Sequence, residues 1–144
     1  MFIKPKRRTS DSYGQGYYGA SRGSRTHKGV DLRCDPHSII CSHVDGKVTK
    51  LGYPYSDDLS FRYVQVTDVR GLNHRFYYVG PYVTMNEVID VGSPIGASQK
   101  LGDRYPVTES KPIPIQEHVH YEVLTYENGK KNYLDPNLFL DNEE

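Results

Sequence analysis

The sequence predicts an all-β, mainly antiparallel domain, a small β-sheet core with groove-forming loops and one short C-terminal helix. Three observations carry this. Residues 61–68 (FRYVQVTD) and 118–126 (HVHYEVLTY) alternate apolar and polar with period two, as strands with one buried face do. Turn signals at Asp45-Gly46, Arg70-Gly71 and Asn128-Gly129 punctuate the chain between such segments. Almost no stretch carries the roughly 3.6-residue period of an amphipathic helix.

The elements follow in order. Residues 1–24 are rich in Gly, Ser, Arg and Tyr and read as an extended lead-in, with Lys4, Lys6, Arg7 and Arg8 as a solvated basic tail. Residues 25–144 form a single domain. Strands are expected over 27–33 and 38–43, separated by the Asp35-Pro36 turn, and over 46–51 after Asp45-Gly46. Residues 61–68 and 74–79 pair across the turn at 70–73, and residues 91–98 make a short strand pair with glycines at 92 and 96. Residues 118–126 turn back at Glu127-Asn128-Gly129-Lys130. Asp135 before Pro136 reads as a cap followed by a first-turn proline, opening the terminal helix. Residues 84–88 are the one other stretch with helical character. Two irregular connections, 53–59 and 99–117, are long enough to wall a binding site; the second carries Pro106, Pro112 and Pro114.

Composition narrows the function. A chain of 144 residues fits one ordinary domain. Its 18 Lys+Arg balance 18 Asp+Glu, so no global field favours nucleic acid or an anionic membrane as the main partner. Mean hydropathy is −0.69 and no apolar run reaches membrane-spanning length. The basic residues near the start have no apolar stretch behind them, so no secretory signal is expected. Two cysteines, Cys34 and Cys41, cannot make a four-thiolate zinc site. Flanking a turn, they could form one disulfide or remain two reduced thiols.

Six histidines are the residues to place. His27, His37, His43 and His74 stand alone and, taken singly, read as ordinary surface or core histidines. His118 and His120 are different, because i and i+2 in a strand share a face about 6–7 Å apart. His27 and Asp31 flank Gly29 and can converge where the chain enters a strand. Imidazole and carboxylate both suit Zn²⁺, and two His with one Asp leave a position for water, as in catalytic zinc sites. The helix-borne HExxH arrangement is absent. The plainer alternative is that Asp31 caps a turn and the HxH pair lines a polar strand face.

The pattern His27-x-x-x-Asp31, then far downstream His118-x-His120, resembles the lysostaphin/LytM-type zinc peptidoglycan endopeptidases. Between these motifs, Asp45-Gly46-Lys47-Val48 resembles the family's DGxV hairpin, and Val91-Gly92-Ser93-Pro94-Ile95-Gly96 its VGxxIG step. The likeness runs from about residue 18 to 126. It implies a groove across a small antiparallel sheet, with His27, Asp31 and His120 as Zn²⁺ ligands and His118 as the catalytic histidine. It implies hydrolysis of peptide cross-links, with peptidoglycan peptide stems as partner. The place of action is then the bacterial cell wall or periplasm, reached through a phage or a secretion system. One departure stands out. Val79 occupies the place of a second catalytic histidine that active members carry in a YxH segment. Tyr77 or Tyr78 could donate to the oxyanion in its place, and strand parity, which sets Tyr77 on the face of Val79, favours Tyr77. Residues 75–81 and 18–31 resemble the chemotaxin-like branch, which keeps the zinc ligands and is regarded as signalling without peptidase activity. A catalytically inactive zinc-binding module for a peptide, glycan or protein is therefore the alternative function.

Overall fold

The computed structural model describes residues 6–16, 19, 21–22, 25–26 and 28–140. The strands are β1 (Ser10–Asp11), β2 (Gly14–Gln15), β3 (Ser21–Arg22), β4 (Arg25–Thr26), β5 (Val30–Arg33), β6 (Ile39–Cys41) and β7 (Gly46–Gly52). They continue as β8 (Tyr63–Thr67), β9 (Asn73–Tyr77), β10 (Val79–Pro81), β11 (Val88–Ile89), β12 (Pro94–Ser98), β13 (His118–Glu127) and β14 (Lys130–Leu134). The main sheet runs β11-β7-β8-β9-β13-β14, and β5 also pairs with β13. A smaller sheet, β10-β12-β6, packs against it, and every pairing is antiparallel. The all-β expectation holds.

β13 organises the domain because its 10 residues reach three neighbours. β9 pairs with His120 to Leu124, β5 with His118 to Tyr121, and β14 with Val123 to Glu127. Val119, Tyr121 and Val123 send one face into the core, where they meet Val30, Leu32, Val64, Val66 and Phe76, all with no exposure. The alternating set, His118, His120 and Glu122, therefore lies on the opposite face.

Several local expectations give way to the structure. The terminal helix is a single 3₁₀ turn, Pro136–Phe139, capped by the Asp135 carboxylate on the Asn137 N–H at 3.0 Å. Residues 84–88 are a turn leading into β11, with Asn86 at φ 70°, rather than a helix. The strand expected over 74–79 breaks at Tyr78, whose φ is 69°. The basic tail is not solvated at Arg8, which is 5% exposed. Cys34 and Cys41 are free thiols, Cys41 on β6 of the small sheet and Cys34 just past β5 of the large one, rather than facing each other across a hairpin.

Candidate functional site

The polar face of the sheet carries two rows of side chains in register. The first row is Asp31 on β5, His120 on β13, Tyr77 on β9 and Tyr63 on β8. The second is Glu122, Arg75 and Gln65. Period-two alternation is the whole reason: each strand contributes every other residue to this face, and antiparallel register aligns them. Glu122, Arg75 and Gln65 were not singled out in the sequence, although Glu122 is simply the next residue of the series 118, 120, 122.

Asp31 is the meeting point. Its Oδ1 lies 2.9 Å from His120 Nδ1, and its Oδ2 lies 3.5 Å from His118 Nε2. His120 Nε2 lies 2.9 Å from Glu122 Oε1, so this imidazole is held between two carboxylates. Burial disfavours charge on His120, but the hydrogen bonds to Asp31 and Glu122 outweigh it and lift its pKa to about 9. His118 goes the other way. Burial pushes its pKa down to about 4, against the attraction of Asp31. Its Nδ1 lies 2.6 Å from the Gln116 carbonyl, which can only accept. Nδ1 therefore carries the proton, and Nε2, facing Asp31, carries the lone pair.

Gly29 explains the tight approach of the loop before β5. A Cβ there would lie 2.4 Å from the Tyr121 carbonyl oxygen and 2.8 Å from His120 Nε2, so no larger residue fits against the imidazole.

Asp31 and His120 carry donor types that zinc takes. A carboxylate that takes the Nε2 proton orients the ring and leaves Nδ1 for the metal, the usual partner of a ligating histidine. Glu122 is placed for this on His120, and Asp31 Oδ1 stands beside Nδ1. His27 lies outside the described residues, as does Lys4 of the basic cluster. Among the described residues no group of three His, Cys, Asp or Glu side chains makes a metal site alone.

The site floors a groove of about 550 Å³. Pro54 and Tyr55 come from the first long connection, and Leu101, Tyr105 and Ile115 from the second, so both connections wall it. The second is pinned at its base by Glu117, whose carboxylate accepts from the Leu101 N–H at 2.6 Å and the Gly102 N–H at 3.0 Å. Tyr55 and Tyr105 share a hydroxyl hydrogen bond of 2.7 Å, and Tyr55 donates to the Tyr78 hydroxyl at 3.3 Å.

Strand parity misjudged Val79. The left-handed backbone at Tyr78 inserts a step between β9 and β10, and both the Tyr78 and Val79 N–H groups bond to the Arg62 carbonyl, at 2.8 and 3.1 Å. Val79 consequently turns into the core with no exposure, while Tyr77 and Tyr78 both line the groove. Tyr78 sets its ring edge-on to His118, centroids 5.7 Å apart, as Tyr77 does to His120 at 5.2 Å. A positive φ at a tyrosine could not be foreseen, because nothing in Tyr favours it.

This fold and face define a class, the lysostaphin/LytM-type peptidase fold. The catalytic domain of the antimicrobial peptidase lysostaphin from Staphylococcus simulans matches with TM-score 0.59 at 18% identity, over 93% of this chain and 98% of that one. A zinc containing peptidase from Vibrio cholerae matches with TM-score 0.58 at 17% identity, over 88% of this chain and 39% of that one. At such identities the fold is what is shared. No family model matches the chain. In sequence, mouse leukocyte cell-derived chemotaxin-2 is 33% identical over 115 residues, 80% of this chain and 71% of that protein. The chain belongs to the leukocyte cell-derived chemotaxin-2 family, the branch of this fold that residues 75–81 resemble.

Proposed function

We propose that this protein is a zinc-dependent hydrolase of peptide cross-links in bacterial peptidoglycan, binding the peptide stems along its groove. The observation that carries this reading is the convergence of His118 and His120 on the Asp31 carboxylate at the groove floor. In this reading residues 25–144 are the hydrolase unit, residues 1–24 lead into it, and it acts at the cell wall or periplasm, delivered by a phage or a secretion system.

His27, Asp31 and His120 would hold Zn²⁺, with Glu122 orienting His120. When bound, the ion supplies Lewis-acid charge that acidifies water and polarises a carbonyl. The chain's own groups do the rest. His118 is neutral above about pH 4, and its Nε2 lone pair accepts a proton from the attacking water and later returns it to the leaving amine. Tyr77 and Tyr78 replace the absent histidine as donors to the developing oxyanion. The Tyr77 hydroxyl accepts from Arg75 at 3.2 Å and donates to Glu122 at 3.4 Å, so its proton must leave Glu122 to serve the oxyanion. Tyr78 accepts from Tyr55, which leaves its own O–H to donate. Loss of one such donor lowers turnover by roughly 10²–10³. Tyr77→Phe with unchanged turnover would remove Tyr77 from the mechanism in favour of Tyr78.

One observation favours a second reading. The position of the missing histidine, Val79, is sealed in the core with no exposure, so its side chain does not reach the groove. A catalytically silent zinc module that binds a peptide, glycan or protein fits that loss. Incubation of the purified protein with cross-linked peptidoglycan, with released peptides read by mass spectrometry, separates the two. Release that vanishes in His118→Ala at intact zinc content supports the hydrolase. Full zinc with no release on any wall chemistry supports the binding module, and a protein without stoichiometric zinc sinks both.

A further inference from the structure

Arg8 reaches the site from the N-terminal segment. Residues 6–16 wrap β5 through its main chain: the Arg33 N–H bonds to the Lys6 carbonyl at 2.7 Å, the Arg8 N–H to the Asp31 carbonyl at 2.8 Å, and the Asp31 N–H to the Gly16 carbonyl at 2.8 Å. The Arg8 side chain then runs beneath the groove. Its Nη1 donates to Asp31 Oδ2 at 2.8 Å, and Nε and Nη2 donate to the two oxygens of Asp11 at 2.8 and 2.7 Å. The three side chains are 4, 0 and 2% exposed for Arg8, Asp11 and Asp31.

A buried guanidinium stays charged, because its pKa is too high to lose a proton. It must therefore be paired, and Asp11 pairs it with both oxygens in a fork. The rest of the Asp11 carboxylate is committed too, to the Tyr13 N–H at 2.8 Å and the Gln116 N–H at 3.0 Å. Gly16 fixes the other side of the arginine, since a Cβ there would lie 2.4 Å from Arg8 Cβ. Arg8 is thus clamped, with an N–H of Nη1 aimed at one oxygen of Asp31. Asp11 also cancels its charge, so the pair adds little repulsion toward a nearby cation.

We propose that Arg8, held by Asp11, is a positioning residue of the metal centre. It takes Oδ2 of Asp31 and leaves Oδ1, beside His120 Nδ1, as the single oxygen offered to zinc. Segment 6–16 is then part of the site, although it supplies no ligand. This rests on the zinc reading of the preceding section. It differs from two simpler roles, a staple that only stabilises the fold and a competitor that holds Asp31 away from metal.

The test uses the full-length protein stripped of metal, as wild type, Arg8→Ala, Arg8→Lys and Asp11→Asn. Zinc affinity is read by competition with a chromophoric chelator, and ligand geometry by the visible spectrum after Co²⁺ loading. Outer partners of metal ligands typically contribute about 10–100-fold in affinity. Arg8→Ala is expected to weaken zinc by that factor. Its Co²⁺ bands should also weaken, as coordination rises when Asp31 binds through both oxygens. Arg8→Lys should recover part of both. If Arg8→Ala does not fold by circular dichroism, Asp11→Asn decides on the same two readouts. A folded Arg8→Ala with unchanged affinity and spectrum makes Arg8 a staple, and tighter zinc makes it a competitor; either overturns the proposal while the zinc reading stands. A wild type that takes up no zinc overturns both.

Discussion

Two histidine–aspartate pairs sit on opposite faces of the same sheet, and they behave oppositely. His74 and Asp68 lie on the core side, Nε2 to Oδ2 at 2.9 Å. His120 and Asp31 lie on the groove side, Nδ1 to Oδ1 at the same 2.9 Å. Yet burial holds the pKa of His74 below its ordinary value despite Asp68, whereas that of His120 rises to about 9. The difference is the second partner. The other nitrogen of His74 meets the neutral Tyr121 hydroxyl at 2.7 Å, while that of His120 meets the Glu122 carboxylate. One carboxylate against full burial makes a structural histidine; two make a place that welcomes positive charge. The contrast shows that a short His–Asp distance alone identifies no site.

That comparison can be broken in several ways. The largest effect is expected from His118→Ala, which removes the proton-accepting imidazole and should lower peptidoglycan turnover by about 10²–10⁴-fold at unchanged zinc content. On the core side, Phe76→Ala empties the middle of the stack with Tyr121, rings 5.2 Å apart, and should destabilise by about 3–5 kcal/mol in denaturant unfolding. Glu122→Gln turns the second partner of His120 neutral, like that of His74. Zinc affinity should fall by about 10–100-fold in chelator competition, and an unchanged value would mean Glu122 does not orient the ligand.

The smallest effect is in pH. The folded-state pKa of His74 is lowered, so the native state resists its protonation while the unfolded chain does not. Its contribution is fully present above the ordinary histidine value, about 6.5, and is lost as pH falls through the folded value, by no more than about 1.4 kcal/mol per pH unit for one proton. Unfolding midpoints at pH 7.5 and 5.5 should therefore fall further in the wild type than in His74→Gln. Equal falls would show that His74 is not the titrating group.

Much of this was legible because strand chemistry is periodic. FRYVQVTD and HVHYEVLTY announced β8 and β13, and the HxH spacing announced that His118 and His120 share a face. Glu122 is legible by the same rule, as the next residue of that series. The rest depended on tertiary facts with no local signal. Arg8 reads as a tail charge until segment 6–16 is seen to wrap β5. Val79 shares the parity of Tyr77 on paper, and a single left-handed residue reverses it. His74 looked unremarkable alone and is so, despite its aspartate.

The shared edge of β13 also has a consequence in time. Asp31 waits for a histidine 89 positions further along the chain. One edge of β5 is covered by residues 6–16, but the other finds its partner only when residues 118–121 have been made. Such distant closures slow folding, because loop entropy is spent before contacts repay it. During synthesis the first half of the domain therefore emerges with β5 open along one edge, and the meeting of Asp31 with His120 is among the last contacts the nascent chain can complete. On the zinc reading proposed above, the ion would seal a finished fold rather than seed it.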